Sequence, residues 1–178
     1  MAYLVALLLG IGLPLAWWAW NDSRRKNPAV RWPQLAAQLE LQFLPDPPRL
    51  EGAWKGRAFR VLAEGERASV VTGLRGKSRL RVEIGPKDAV EKAAGMVVPD
   101  RIQVGDLAFE RRYVVRATPP ELGEIAADPS MRQRLMRLPD VHVIALQDRV
   151  VVRVPYPSEA GQARDYLDIA AAVADSLE

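Results

Sequence analysis

The chain has 178 residues, a formal net charge of +3, a hydrophobic fraction of 49 % and no cysteine. One domain's worth of sequence with an ordinary apolar content can bury a core, while the missing thiol excludes disulfides, thiolate metal sites and cysteine nucleophiles. The surplus charge is local: Arg24, Arg25, Lys26 and Arg31 against Asp22 account for all of it, leaving 21 basic and 21 acidic residues from Trp32 onward, so no nucleic-acid partner is expected.

Residues 2–20 carry no charged side chain. As a helix this run would be about 28 Å long, close to the hydrocarbon thickness of a bilayer. Trp17, Trp18 and Trp20 at its end suit a membrane interface. No basic residue precedes it, as an export signal would require. The expectation is therefore a single-pass protein in three parts: a transmembrane helix (2–20), a basic juxtamembrane linker (21–31) and a soluble domain (32–178). By the positive-inside rule Arg24, Arg25 and Lys26 stay on the cytoplasmic side of the inner membrane, with the N-terminus out and the lipid bilayer as the first partner. An export signal that leaves the domain outside is the alternative. Asn21-Asp22-Ser23 matches a glycosylation sequon, but its place against the bilayer makes it a chance match.

Leu35, Leu39 and Phe43, four apart, predict a short amphipathic helix from Pro33, ended by Pro45, Pro47 and Pro48. The period then becomes two. "RLEGAWKGRAFRVLA" predicts a hairpin turning at Lys55-Gly56, and "RASVVTGL" with "SRLRVEI" a second one around Arg75-Gly76-Lys77. In the last strand Leu80, Val82 and Ile84 form a buried face, and Arg79, Arg81 and Glu83 a wet one. Residues 85–104 carry little beyond a helical turn from Asp88 to Ala94. "LAFERRYVVRA" predicts a strand. Thr118-Pro119-Pro120-Glu121 reads as a capping box, and Asp128-Pro129 opens a further helix with Met131, Leu135 and Leu138. "VHVIALQDRVVVRV" predicts a hairpin at Gln147-Asp148. Ala160 to Leu177 is a helix striped by Ala163, Tyr166, Leu167, Ala170, Val173 and Ala174.

Strands in hairpins rather than alternating with helices predict an α+β fold: an N-terminal transmembrane helix, then an antiparallel sheet with amphipathic helices on one face. In "WPQLAAQLEL", "VGDLAFERRYVV" and "PELGEIAADPSMRQRL" the chain resembles a loose class of uncharacterised bacterial single-span membrane-anchored proteins. The resemblance covers most of residues 32–178 and implies a setting but no mechanism.

Catalytic, metal and cofactor sites are not expected. "GLRGKS" ends like a phosphate loop, yet Val71 stands where that pattern needs glycine and a strand follows. His142 is the single histidine and reads as structural. Asp106 and Glu110 would lie about 13 Å apart on a strand, too far for a carboxylate pair, so Asp106 is read as capping turn amides. Met131 and Met136 are read as packing residues, and the acids of the last helix as its solvated side.

The feature that stands out is electrostatic. Lys55 to Arg81 holds eight basic residues against Glu64 and Glu66. Arg75, Lys77, Arg79 and Arg81 recur every second residue; Arg149 and Arg153, four apart, alternate in the same sense with Val150, Val152 and Val154, as do Arg112 and Arg116 with Tyr113 and Val115. These positions predict a cationic sheet face. The expected function is a membrane-tethered, non-catalytic interaction module that binds an acidic or protein partner through that face, with Trp54 and Arg57 as anchors. The alternative is recognition of anionic lipid headgroups by the same face, and a less favoured one an enzyme using dispersed carboxylates.

Overall fold

The computed structural model describes residues 27–76, 79–91 and 100–178. Its centre is one antiparallel sheet of nine strands: β1 (Gln42–Pro45), β2 (Pro48–Trp54), β3 (Arg57–Glu64), β4 (Arg67–Gly73), β5 (Arg81–Pro86), β6 (Arg101–Ile102), β7 (Tyr113–Thr118), β8 (His142–Leu146) and β9 (Arg149–Pro155). Across the sheet they run β1-β2-β3-β4-β9-β8-β5-β7-β6. The helices are α1 (Pro28–Leu39), α2 (Lys87–Glu91), α3 (Leu107–Arg112), α4 (Glu121–Ala126), α5 (Pro129–Arg137) and α6 (Ala160–Ser176).

Strand alternation divides the sheet into a covered and an open face. On the covered face the register aligns Leu50, Val61, Val70, Val152, Val143, Ile84 and Val115 across seven strands, each 5 % exposed or less. Over them lies α6, whose Ala163, Ala170 and Ala174 let its backbone come close to β4 and β9. Beside it, α1 buries Trp32, Leu35, Ala36 and Leu39 at helical spacing. The Asn27 side chain accepts from the Ala29 amide at 3.0 Å, Pro28 occupies the first turn, and Glu40 ends α1 in the left-handed region at φ 57°. At the β7 end Phe109 of α3 stacks on Tyr113 with ring centres 5.0 Å apart, and the Tyr113 hydroxyl donates to the Leu135 carbonyl of α5 at 3.1 Å.

The seam between α6 and the sheet is polar and closed by Arg57. From the covered face of β3, its Nε donates to Asp175 Oδ1 at 2.8 Å, and its guanidinium reaches both Glu178 oxygens at 3.1 and 2.5 Å and the Gly73 carbonyl at 3.2 Å. Two turns earlier on α6, Asp168 accepts from Trp54 Nε1 at 2.7 Å and pairs with Lys55 Nζ at 2.8 Å.

Several expectations are corrected. Among the described residues no helix is long and apolar enough to cross a membrane. The longest, α6, has 17 residues and carries Arg164, Asp165, Asp168 and Asp175 outside its buried stripe. The expectation of a single-pass transmembrane helix therefore does not describe this fold, a nine-stranded sheet with helices. The stretch 2–20, with Trp17, Trp18 and Trp20, and Arg24, Arg25 and Lys26 after it, lies outside the described residues. Arg31, read as linker, is already inside α1.

The helices do not all share one face either. A Cβ added to Gly85, which would point to the open face, would meet Val90 Cγ2 at 2.9 Å, so α2 folds over that face. β4 and β5 are not a hairpin, because the β8–β9 hairpin lies between them. "LAFERRYVVRA" divides into α3 and β7: Asp106 caps the helix by accepting from the Phe109 amide at 3.1 Å. Phe43 belongs to β1 rather than the first helix. The N-cap of α4 is Pro120 and makes no side-chain bond, so Thr118 is no capping residue. Met136 is 36 % exposed rather than packed.

Arg57→Met keeps the apolar stem and removes the guanidinium, which takes from Glu178, 15 % exposed, its nearest cation and leaves the exposed Arg75 at 3.9 Å. A loss of about 1–3 kcal/mol should lower the thermal midpoint by about 3–10 °C in circular dichroism. Asp175→Asn, at a side chain 68 % exposed, should move it by less than about 2 °C. An unshifted Arg57→Met melt would show that the seam does not depend on this clamp.

Candidate functional site

Alternation turns the arginines of the inner strands outward. From the register, the open face receives Arg49, Arg60, Arg67, Arg81, Arg101, Arg116, Arg149 and Arg153 against Glu51, Glu64 and Glu83. Four of these arginines are exposed: Arg101 on β6 and, on the inner strands, Arg60 at 69 %, Arg149 at 62 % and Arg153 at 50 % of the side chain. The ion pairs of the last three are open to water as well: Arg60 with Glu51 at 3.5 Å, Arg153 with Glu64 at 4.0 Å and Arg149 with Asp148 at 3.1 Å. Such exposed pairs contribute about 0–1 kcal/mol and exchange partners readily.

Between the arginines the same face carries apolar side chains that no described element covers completely. Val71, Val151 and Ile144 are half-buried neighbours on β4, β9 and β8, and Leu146 at the end of β8 is 44 % exposed. On the β3 side a trough of about 620 Å³ lies among Glu51, Ala58, Arg60, Val71 and Arg149.

On the far side of Ile144 the face closes over a buried pair. Glu83 and His142 are 3 % and 6 % exposed, with Oε1 2.9 Å from Nε2. Gly85 makes room for the ring: a Cβ there would stand 2.5 Å from His142 Cδ2. The hydrogen bond from His142, opposed by burial and helped by the charges of His142, Arg81 and Arg116, holds the Glu83 carboxyl below the usual carboxylate range. At neutral pH Glu83 is therefore ionised and Nε2 carries the proton it donates. Glu83 was expected on the wet face and is instead buried. The His142 ring beside it and α2 folded over Gly85 on the same face account for this. His142 is buried and hydrogen-bonded to Glu83.

The expected site residues separate into groups. Arg81, Arg149 and Arg153 lie on the open face. Trp54 and Arg57 lie on the covered face and hold α6. Arg75 and Arg79 are exposed in the loop before β5, where Arg75 gives its amide to Glu178 at 2.5 Å, and Lys77 lies outside the described residues. The alternation from Arg75 to Arg81 therefore makes no stripe. Arg112 belongs to α3 and donates to the Met136 and Leu138 carbonyls at 3.2 and 3.1 Å. Arg116, expected on this face from its alternation, lies there, and Arg60 joins it; the parity of β3 was the signal available for Arg60.

Among the described residues no group of three or more histidines, aspartates and glutamates is placed to hold a metal. Asp106 and Glu110 are structural: Glu110 accepts from the Val104 and Gly105 amides at 2.8 and 3.1 Å.

No known family model matches the sequence. No curated protein matches it. A solved structure does: the mycobacterial trehalose monomycolate transport factor A, TtfA, superposes with a TM-score of 0.61 at 14 % identity, over 85 % of this chain and 94 % of that one. What the two share is the fold.

The buried pair sets a pH dependence. A carboxyl held below its ordinary range contributes stability above that range and loses it as pH falls through the lowered value. Glu83→Gln should be less stable than the parent by about 1–3 kcal/mol at pH 7. In urea titrations between about pH 5 and 3 the difference should narrow as the parent takes up its proton. A constant gap across that range would show that the charge on Glu83 adds nothing.

Proposed function

We propose that the chain is a non-catalytic binding module that docks an acidic protein partner on its open sheet face. The observation that carries this reading is the set of exposed Arg60, Arg149 and Arg153 around the half-buried Val71, Val151 and Ile144. A merely solvated face would need no apolar floor, and arginine with apolar neighbours is the composition of interface centres. The exposed ion pairs can be replaced by a partner's carboxylates at little cost, since both states keep the arginines paired. The structural neighbour TtfA is named as a transport factor, which accords with a binding role.

Trp54 and Arg57 leave the proposed surface because they are occupied in the α6 seam. The surface is instead centred on β9, between Arg149 and Arg153.

In-cell crosslinking of the full chain, compared with the Arg60→Ser, Arg149→Ser, Arg153→Ser triple variant, tests this. The parent should capture an acidic protein partner, the variant should lose it while keeping its melting curve, and capture should weaken several-fold at high salt. The same partner in both would overturn the reading. Salt-sensitive flotation of the chain with anionic vesicles, without a protein partner, would replace it by recognition of lipid headgroups.

A further inference from the structure

We infer that the element docked on the open face is an acidic amphipathic helix of the partner, lying across the strands over Val71, Val151 and Ile144. This inference rests on the reading of the open face given above and adds the partner's shape to its charge.

The register sets the direction. Arg60, Val71, Val151 and Ile144 are successive partners on β3, β4, β9 and β8. At about 4.8 Å between strands they form a line about 14 Å long, perpendicular to the strands. That is the length of about nine or ten helical residues. On β9, Arg149 and Arg153 stand two residues to either side of Val151, about 13 Å apart at 3.3 Å per residue. A helix with its side chains is about 10–12 Å across. An apolar ridge at helical spacing would therefore sit on the three apolar residues, with acidic side chains on both flanks within reach of an arginine.

The ends of the line are different. At the β3 end Arg60 borders the trough of about 620 Å³, which leaves room for the helix to settle. At the β8 end the next partner is Glu83, buried and ionised against His142. A carboxylate-bearing partner meets like charge there, and the line stops.

The alternatives fit less well. An extended peptide laid flat on these side chains would leave its own amides and carbonyls unpaired against an apolar floor, whereas a helix satisfies them internally. A membrane surface offers a layer of headgroup charge but no apolar ridge to sit on Val71, Val151 and Ile144 between the arginines.

The test uses the full chain and two fluorescent peptides of about 14 residues with the same Leu, Glu and Ala composition. One has leucines at helical spacing between glutamates, and the other is scrambled to remove the apolar ridge. At low salt the patterned peptide should bind at least ~10-fold more tightly and become helical on binding. Ile144→Ser should remove that preference, and the Arg149→Ser, Arg153→Ser pair should weaken both peptides, with melting curves confirming that each variant is folded. Equal affinity for the two peptides would overturn the helix inference and leave a charge-only face. Binding of neither peptide would overturn both readings, as would binding of phosphatidylglycerol vesicles alone.

Discussion

The rest of the structure depends on the seat of α6 over β9. β9 is the middle of the nine strands, and its Val150, Val152 and Val154 are all 0 % exposed. These valines lie under a helix whose alanines permit close contact. Once β9 is fixed with those residues inward, strand geometry leaves no freedom for Arg149, Val151 and Arg153, which face the other way. A shift of one residue in β9 would put two arginines into the core and is excluded by the cost of burying unpaired charge. The packing of one face thereby decides the chemistry of the other.

Two sets of arginines have different fates for the same reason. Arg57 sits on the covered face, and Asp175 and Glu178 from the end of α6 meet it there. Its charge is neutralised within the fold and its donors are satisfied. Arg60, three residues on, has the opposite parity and pairs with Glu51 in water. Similar side chains on one strand thus serve a structural clamp and a proposed docking surface. Glu83 is the reverse case, an acid on the open face drawn into burial by a histidine on the adjacent strand.

How far these features were legible in the sequence follows from the range of the interactions. The β2–β3 and β8–β9 hairpins, the capping by Asp106 and Asp128, and α6 rest on contacts within a few residues, and the local pattern shows them. The insertion of β8–β9 between β4 and β5 is a pairing between segments about 80 residues apart in sequence, and period-two alternation has no term for it. Phe109 and Tyr113 are four apart, a spacing that fits one side of a strand as well as a helix, so α3 was hidden in an apparent strand. The cationic face was visible as alternation in β9. The assignment of Arg57 and Trp54 to it failed because their acidic partners lie more than 100 residues away in α6. A membrane span was read from the uncharged run 2–20, its flanking tryptophans and the basic cluster after it, and no helix among the described residues is long and apolar enough to cross a membrane.

The central claim is that one face of the sheet is sealed and the other open. The absence of cysteine gives a clean background for testing it directly. Single cysteines placed at Val152 and Val143, and separately at Val151 and Ile144, can be timed for reaction with a bulky water-soluble maleimide in the folded full chain. The account predicts slow labelling of the first pair, limited by opening of the fold, and much faster labelling of the second. Equal protection at both parities would contradict it, since the open face would then be covered by the chain itself and would offer no surface to a partner.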